Sequence, residues 1–222
     1  MKLEGSGFAQ DKREAVRYFK LASEQGLTEA QYNLGLIYER GDGVPADAEA
    51  AVHQFTLASH KDEFMAMVKL ALACISGTGT EVDHGRAVDL LWRPARKGIP
   101  EAQFLLGYLL INEMGKENDT KEGIKFMSEA AVNGMTRAQH YMGVCFQTGH
   151  GGLGQDHGEA IKWFQAAAKA GNGESMYSLY EILSKGKGME RQAEKWLKQA
   201  AEKGVPAAAD RLREFSGGGA SK

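Results

Sequence analysis

Three groupings in this chain have the residue types of a reactive or ligand-binding site. His150, Asp156 and His157 lie close in sequence and offer the imidazole and carboxylate donors that a divalent metal takes. Gly41-x-Gly43, Gly77-x-Gly79 and Gly149-His150-Gly151-Gly152 have the glycine density of phosphate-cradling loops. Cys74 and Cys145 are the two cysteines. Each grouping has a simpler reading. His157 matches His84 in Asp83-His84-Gly85, the first turn of a helix. A dinucleotide fingerprint needs a preceding strand, and a P-loop ends in Gly-Lys followed by Ser or Thr; neither context is present. The cysteines fall in helical segments two repeats apart, which fits a reduced compartment or indifference to redox better than a disulfide framework. No nucleophile elbow or zinc helix motif occurs, and scattered Ser, His and Asp do not assemble into a triad from sequence. The expectation is no catalytic residue, no metal and no cofactor.

The glycines belong to a larger pattern. Ala30-Gln31-Tyr32-Asn33-Leu34-Gly35-Leu36-Ile37-Tyr38, then Gly41-Asp42-Gly43-Val44, then Asp47, begins again at Ala66, Ala102, Ala138 and Ser175. A period of about 36 residues is the signature of a helical solenoid. The copies run 30–65, 66–101, 102–137, 138–174 and 175–207, after a half repeat over 1–29 and before a C-terminal helix to 215; residues 216–222 read as a flexible tail. Gly5, Gly7 and Asp11 lie one period before Gly41, Gly43 and Asp47. The chain is therefore expected to open at the end of a repeat's first helix, as a fragment of a longer protein or an array lacking that helix.

Within a copy, apolar positions 30, 34, 37 and 38 fall at helical spacing and predict a first helix with one buried stripe. Gly41 and Gly43 break it, since glycine reaches the positive φ of a reversal. Asp47 is placed to cap a second helix, and Asp11/Glu14, Asp119/Glu122 and Asp156/Glu159 have the capping-box spacing. The second helix bears a bulky pair such as Trp163/Phe164, then a small pair such as Ala167/Ala168, then a terminating Gly171. Trp92, Trp163 and Trp196 read as packing residues of this kind. Two departures stand out: Pro94 occupies an Ala position and predicts a kink near Leu90, and the 30–65 copy ends in His60-Lys61-Asp62 without its Gly.

Leu34-Gly35, Tyr38, Gly41-Asp42-Gly43-Val44, Asp47 and the Ala-Ala…Gly pattern resemble the Sel-one-like repeat family, a relative of the tetratricopeptide repeat, over roughly residues 5 to 209. The resemblance implies an all-α fold, a right-handed superhelix of about five helix-turn-helix repeats, and an adaptor or scaffold role. It also implies that first helices line a concave face. The positions selected are Tyr32, Leu36, Glu39 and Arg40; Val68, Leu72 and Ile75; Phe104, Tyr108, Ile111 and Asn112; His140, Val144 and Gln147; and Tyr177 and Glu181. Two arrangements satisfy them: an apolar groove for a peptide or amphipathic helix, centred on Phe104 and Tyr108, or burial between first helices.

Composition narrows the partner. The 27 basic and 29 acidic residues leave a net charge of −2 with no block of like charge, which argues against a nucleic-acid surface. No apolar run approaches the ~20 residues of a membrane span, and Met1 to Gly7 lack a signal core. The compartment stays open, with the cytoplasm favoured. The reading is a non-catalytic scaffold for a protein or peptide. The alternative is an architectural module for self-association or assembly of a larger chain, and the third is a weak β-lactamase-like hydrolase.

Overall fold

The computed structural model describes residues 6–114 and 119–217, with side chains from 12 to 114 and from 119 to 214. Among them are twelve α-helices, one short 3-10 turn at His150–Gly152 and no strand. Contacts divide the chain into two compact units at Asn118–Asp119. The first holds α1 (Ser6–Glu24), α2 (Thr28–Arg40), α3 (Ala48–Ser59), α4 (Phe64–Ser76), α5 (His84–Arg96) and α6 (Pro100–Ile111). The second holds α7 (Thr120–Val132), α8 (Thr136–Thr148), α9 (His157–Lys169), α10 (Gly173–Leu183), α11 (Glu190–Glu202) and α12 (Pro206–Gly217). Within each unit every helix packs on the next in sequence, and α8 also touches α10. This is the neighbour-on-neighbour packing of the expected all-α solenoid.

The second helices start where the aspartates place them. Asp47, Asp83, Asp119 and Asp156 accept the backbone N–H of Ala50, Arg86, Glu122 and Glu159 at 3.0, 2.8, 3.0 and 3.0 Å. Each bond satisfies one of the N–H groups that a helix start leaves without a partner. The reciprocal half of the capping box is replaced: the Glu122 and Glu159 carboxylates accept from Lys125 and Lys162 at 2.9 and 2.6 Å. The cap expected at Asp11 is corrected by the structure. Helix α1 begins at Ser6, so Asp11 and Glu14 lie inside it.

Two departures from the repeat can be placed on the backbone. Helix α5 continues through Pro94 to Arg96, and the proline, which has no N–H for the Leu90 carbonyl, falls in its last turn. Gly26 has φ 81°, and Asp62, one period later, takes φ 63° without being glycine. Asp tolerates this left-handed conformation better than most residues, and its carboxylate pairs with Arg93.

The cores are built by matched sizes. A Cβ on Gly35 would lie 2.5 Å from the Phe55 ring, and one on Gly143 would lie 2.6 Å from the Phe164 ring. Only a bare backbone lets these helices approach so closely. In the α10–α11 pair the scheme is inverted: Tyr180 stands at the glycine position and Leu197 at the phenylalanine position, both in one buried cluster. A recurrent glutamine joins successive pairs. The Nε2 of Gln31, Gln103 and Gln139 donates to the carbonyls of Ser23, Ala95 and Ala131 at 3.4, 3.3 and 3.1 Å, tying each first helix to the end of the second helix before it.

Candidate interaction surface

In the unit formed by α1 to α6, the selected side chains come from α2, α4 and α6. Tyr32 and Leu36 are half-buried against the cluster of Ala51, Phe55, Ala58, Ala66 and Leu70, with the Tyr32 and Phe55 ring centroids 6.0 Å apart. Leu72 and Ile75 on α4 are half-buried, whereas Val68 is fully enclosed. Helix α6 is apolar on every side and buried from Ala102 to Ile111 except at one position. That exception is Tyr108, 38% exposed, its ring 6.4 Å from that of buried Phe104. Ile111 is buried, and half-buried Asn112 follows α6, donating from Nδ2 to the Tyr108 carbonyl at 2.7 Å. Glu39 on α2 pairs with Lys69 on α4 at 2.7 Å, so these two first helices lie side by side.

In the unit formed by α7 to α12, His140, Gln147 and Glu181 bring polar groups to the corresponding positions, beside Val144 and Tyr177. His140 on α8 is half-buried, 2.8 Å from Ser175 Oγ on α10, with its ring centroid 5.6 Å from that of Phe164. Burial holds the imidazole below its usual pKa, opposed by the charge of Glu174. Ser and His are thus adjacent, but Ser175 is 0% exposed and its own N–H is held by Asn172, so the hydroxyl braces α8 against α10 and presents nothing to solvent. Val144 is partly buried on the core of this unit, as is Tyr177. The Tyr180 hydroxyl accepts from Arg211 Nε at 2.9 Å, and Arg211 donates to Glu214 at 2.6 Å; both partners hold the guanidinium firmly in its charged form. A cleft of about 730 Å³ opens here, lined by Tyr180, Glu190, Glu194, Lys198 and Arg211.

Other chemistry finds no assembled site. Among the described residues no three His, Cys, Asp or Glu side chains gather as metal ligands. Asp156 is occupied as a helix cap, and His150 and His157 are exposed. Cys74 and Cys145 are buried free thiols whose pKa is raised by burial, that of Cys145 to about 11, which leaves them protonated and unreactive near neutrality. No described helix is long and apolar enough to cross a membrane. The glutamine ties have a signal in the sequence, where Ala-Gln recurs at 30–31, 102–103 and 138–139.

Six successive segments, residues 1–27, 28–62, 64–91, 100–134, 136–172 and 174–205, match the Sel1 repeat. The chain belongs to the Sel1 repeat family. Sel1 repeats are commonly protein–protein interaction modules, and their scaffold is typically non-catalytic. Among solved structures the fold is similar to a Sel1 repeat protein from Oxalobacter formigenes, with TM-score 0.78 and 26% identity over 90% of this chain and 80% of that one. It is also similar to c5321, a protective antigen of uropathogenic Escherichia coli with an SLR fold, at TM-score 0.83 and 24% identity over 88% of this chain. The chain spans 42% of the length of c5321. No curated protein sequence matches it.

Proposed function

We propose that this Sel1 repeat chain is a non-catalytic scaffold that holds an extended peptide or amphipathic helix of a protein partner against its first helices. The observation that carries the reading is the exposure of Tyr108 on an otherwise buried helix, together with half-exposed Tyr32, Leu36, Leu72 and Ile75. Solvent-facing aromatic and aliphatic side chains on a rigid frame bind by excluding water, and Tyr does so with little entropy to lose. Asn112, beside Tyr108, adds a polar contact to that surface, and His140 and Val144 occupy the equivalent positions of the other unit.

The test is Tyr108→Ala, read by thermal melting and by binding to peptides selected from a displayed random library against the unmodified chain. The expected outcome is a nearly unchanged midpoint with binding weakened about tenfold or more. A stability loss of roughly 3 kcal/mol would make Tyr108 a core residue and remove it from the surface. Exposed Tyr18 and Leu27 support the second reading, assembly through the α1 end.

A further inference from the structure

One position recurs on each first helix, six residues after the small residue that begins the copy. Along the chain it is Leu36, Leu72, Tyr108, Val144, Glu181 and Glu214. Four apolar side chains give way to two carboxylates. Leu36, Leu72 and Val144 are half-buried, whereas Glu181 and Glu214 are exposed. The openness at Glu181 is not that of an unfinished end. Helix α10 has a first helix on each side, α8 through His140 and Ser175, and α12 through Arg211 and Tyr180. Leu72 and Val144 hold the same position inside the array and are also partly open, so the stacking of repeats does not close this row.

Between α10 and α12 the row borders a cleft of about 390 Å³. Tyr177 and Tyr180 line it, with ring centroids 5.7 Å apart, and so do Glu181, Asp210 and Glu214. Two bases share the cleft. Arg211 is held by the Tyr180 hydroxyl and Glu214, and Lys185 is exposed. Asp210 is joined to Arg213 at 3.3 Å. Glu181 enters no ion pair among the described residues. Tyr177 registers the balance of these charges. Burial, then the charge of Glu181, raises its phenol above the usual value, with Arg211 opposing.

We infer that the α10–α12 face is a docking site for a basic segment of a protein partner, with an arginine side chain against the Tyr177 ring and its guanidinium on Glu181. A half-buried aromatic ring beside an exposed carboxylate suits that group. The guanidinium stacks on the ring and donates parallel hydrogen bonds to the carboxylate, whereas a lysine ammonium offers a point charge alone. The inference rests on the first helices being the partner-binding face, and it gives the second unit's part of that face a charge preference.

The experiment titrates a capped Gly-Arg-Gly-Arg-Gly peptide into the intact, isotopically labelled chain and follows backbone amide shifts by NMR. The expected result is saturable shifts concentrated in α10 and α12, lost when citrulline replaces arginine. Glu181→Gln and Tyr177→Leu should each weaken binding about threefold or more. Glu181 is exposed, so a thermal melt of Glu181→Gln should match the parent. Glu202→Gln, which removes the same charge from an exposed position of α11, should leave the affinity unchanged. Binding should also survive Tyr108→Ala, so this site and the apolar surface fail separately. Absent shifts, shifts spread over the whole chain, or binding indifferent to both Glu181→Gln and Tyr177→Leu overturns the proposal. An equal loss in Glu202→Gln overturns it as well, by reducing the effect to overall charge. Shifts in α10 and α12 that grow with protein concentration before peptide is added do the same, by giving the face to a second copy.

Discussion

The first helices of the two units share a backbone plan and clothe it differently. In the α1–α6 unit, α2, α4 and α6 turn Tyr32, Leu36, Leu72, Ile75 and Tyr108 partly outward, and the Glu39–Lys69 ion pair crosses from α2 to α4. In the α7–α12 unit the crossings are His140 to Ser175 and Tyr180 to Arg211, with Glu214 drawn in behind. Behind both faces the support is the same, a glycine seated on a phenyl ring and an aspartate cap at 3.0 Å in α3 and α9. The lesson is that the repeat fixes how helices pair, while the residues between the fixed positions are free to make one surface apolar and another polar.

The largest expected effect tests the shared support. Gly35→Leu and Gly143→Leu each force a buried phenyl ring aside and should cost about 1–3 kcal/mol, measured by urea unfolding. Near-equal losses would confirm that one packing rule serves both units, and a mild effect at either site would break the equivalence. Next come the caps: Asp47→Ala and Asp156→Ala should each cost about 1 kcal/mol, with faster amide exchange confined to α3 or α9. Exchange that spreads through the whole chain would contradict neighbour-limited coupling.

The smallest effect separates the two faces. Burial lowers the pKa of His140, so the folded state prefers the neutral ring, and protonation favours unfolding. Stability from this group is intact above its unfolded pKa of about 6.5 and declines as pH falls from there through the lower folded value. His140→Gln should therefore reduce the drop in melting midpoint between about pH 7.5 and 5.5. An unchanged drop would mean that the imidazole is not meaningfully desolvated.

Much of this arrangement is visible in the chain itself. The spacing of Leu34, Gly35 and Tyr38, the Gly-x-Gly loops and the recurrent Asp mark the helix pairs, because each has one local job that few residues perform. What the pattern cannot give is depth. Phe104 and Tyr108 are one turn apart on the same helix, yet one is buried and the other 38% exposed, a difference set by neighbouring helices rather than by their own spacing. The Asp62 turn was hidden for a related reason: a positive φ is imposed by the chain reversal, and aspartate bears it without announcing it as glycine would. The capping-box spacing at Asp11 and Glu14 fits the interior of a helix as well as its start, so it does not locate the beginning of α1 at Ser6.

The inversion at Tyr180 and Leu197 has a consequence for how such arrays diversify. Glycine facing phenylalanine and tyrosine beside leucine are two settings of one lock, and the halves cannot be mixed. A first helix grafted from the α2–α3 pair onto α11 would leave a void over Leu197, and α10 placed over α3 would drive a phenol into Phe55. Recombination that cuts between repeats keeps each lock with its key, whereas recombination inside one strands both. The unit of inheritance for this chain is the helix pair.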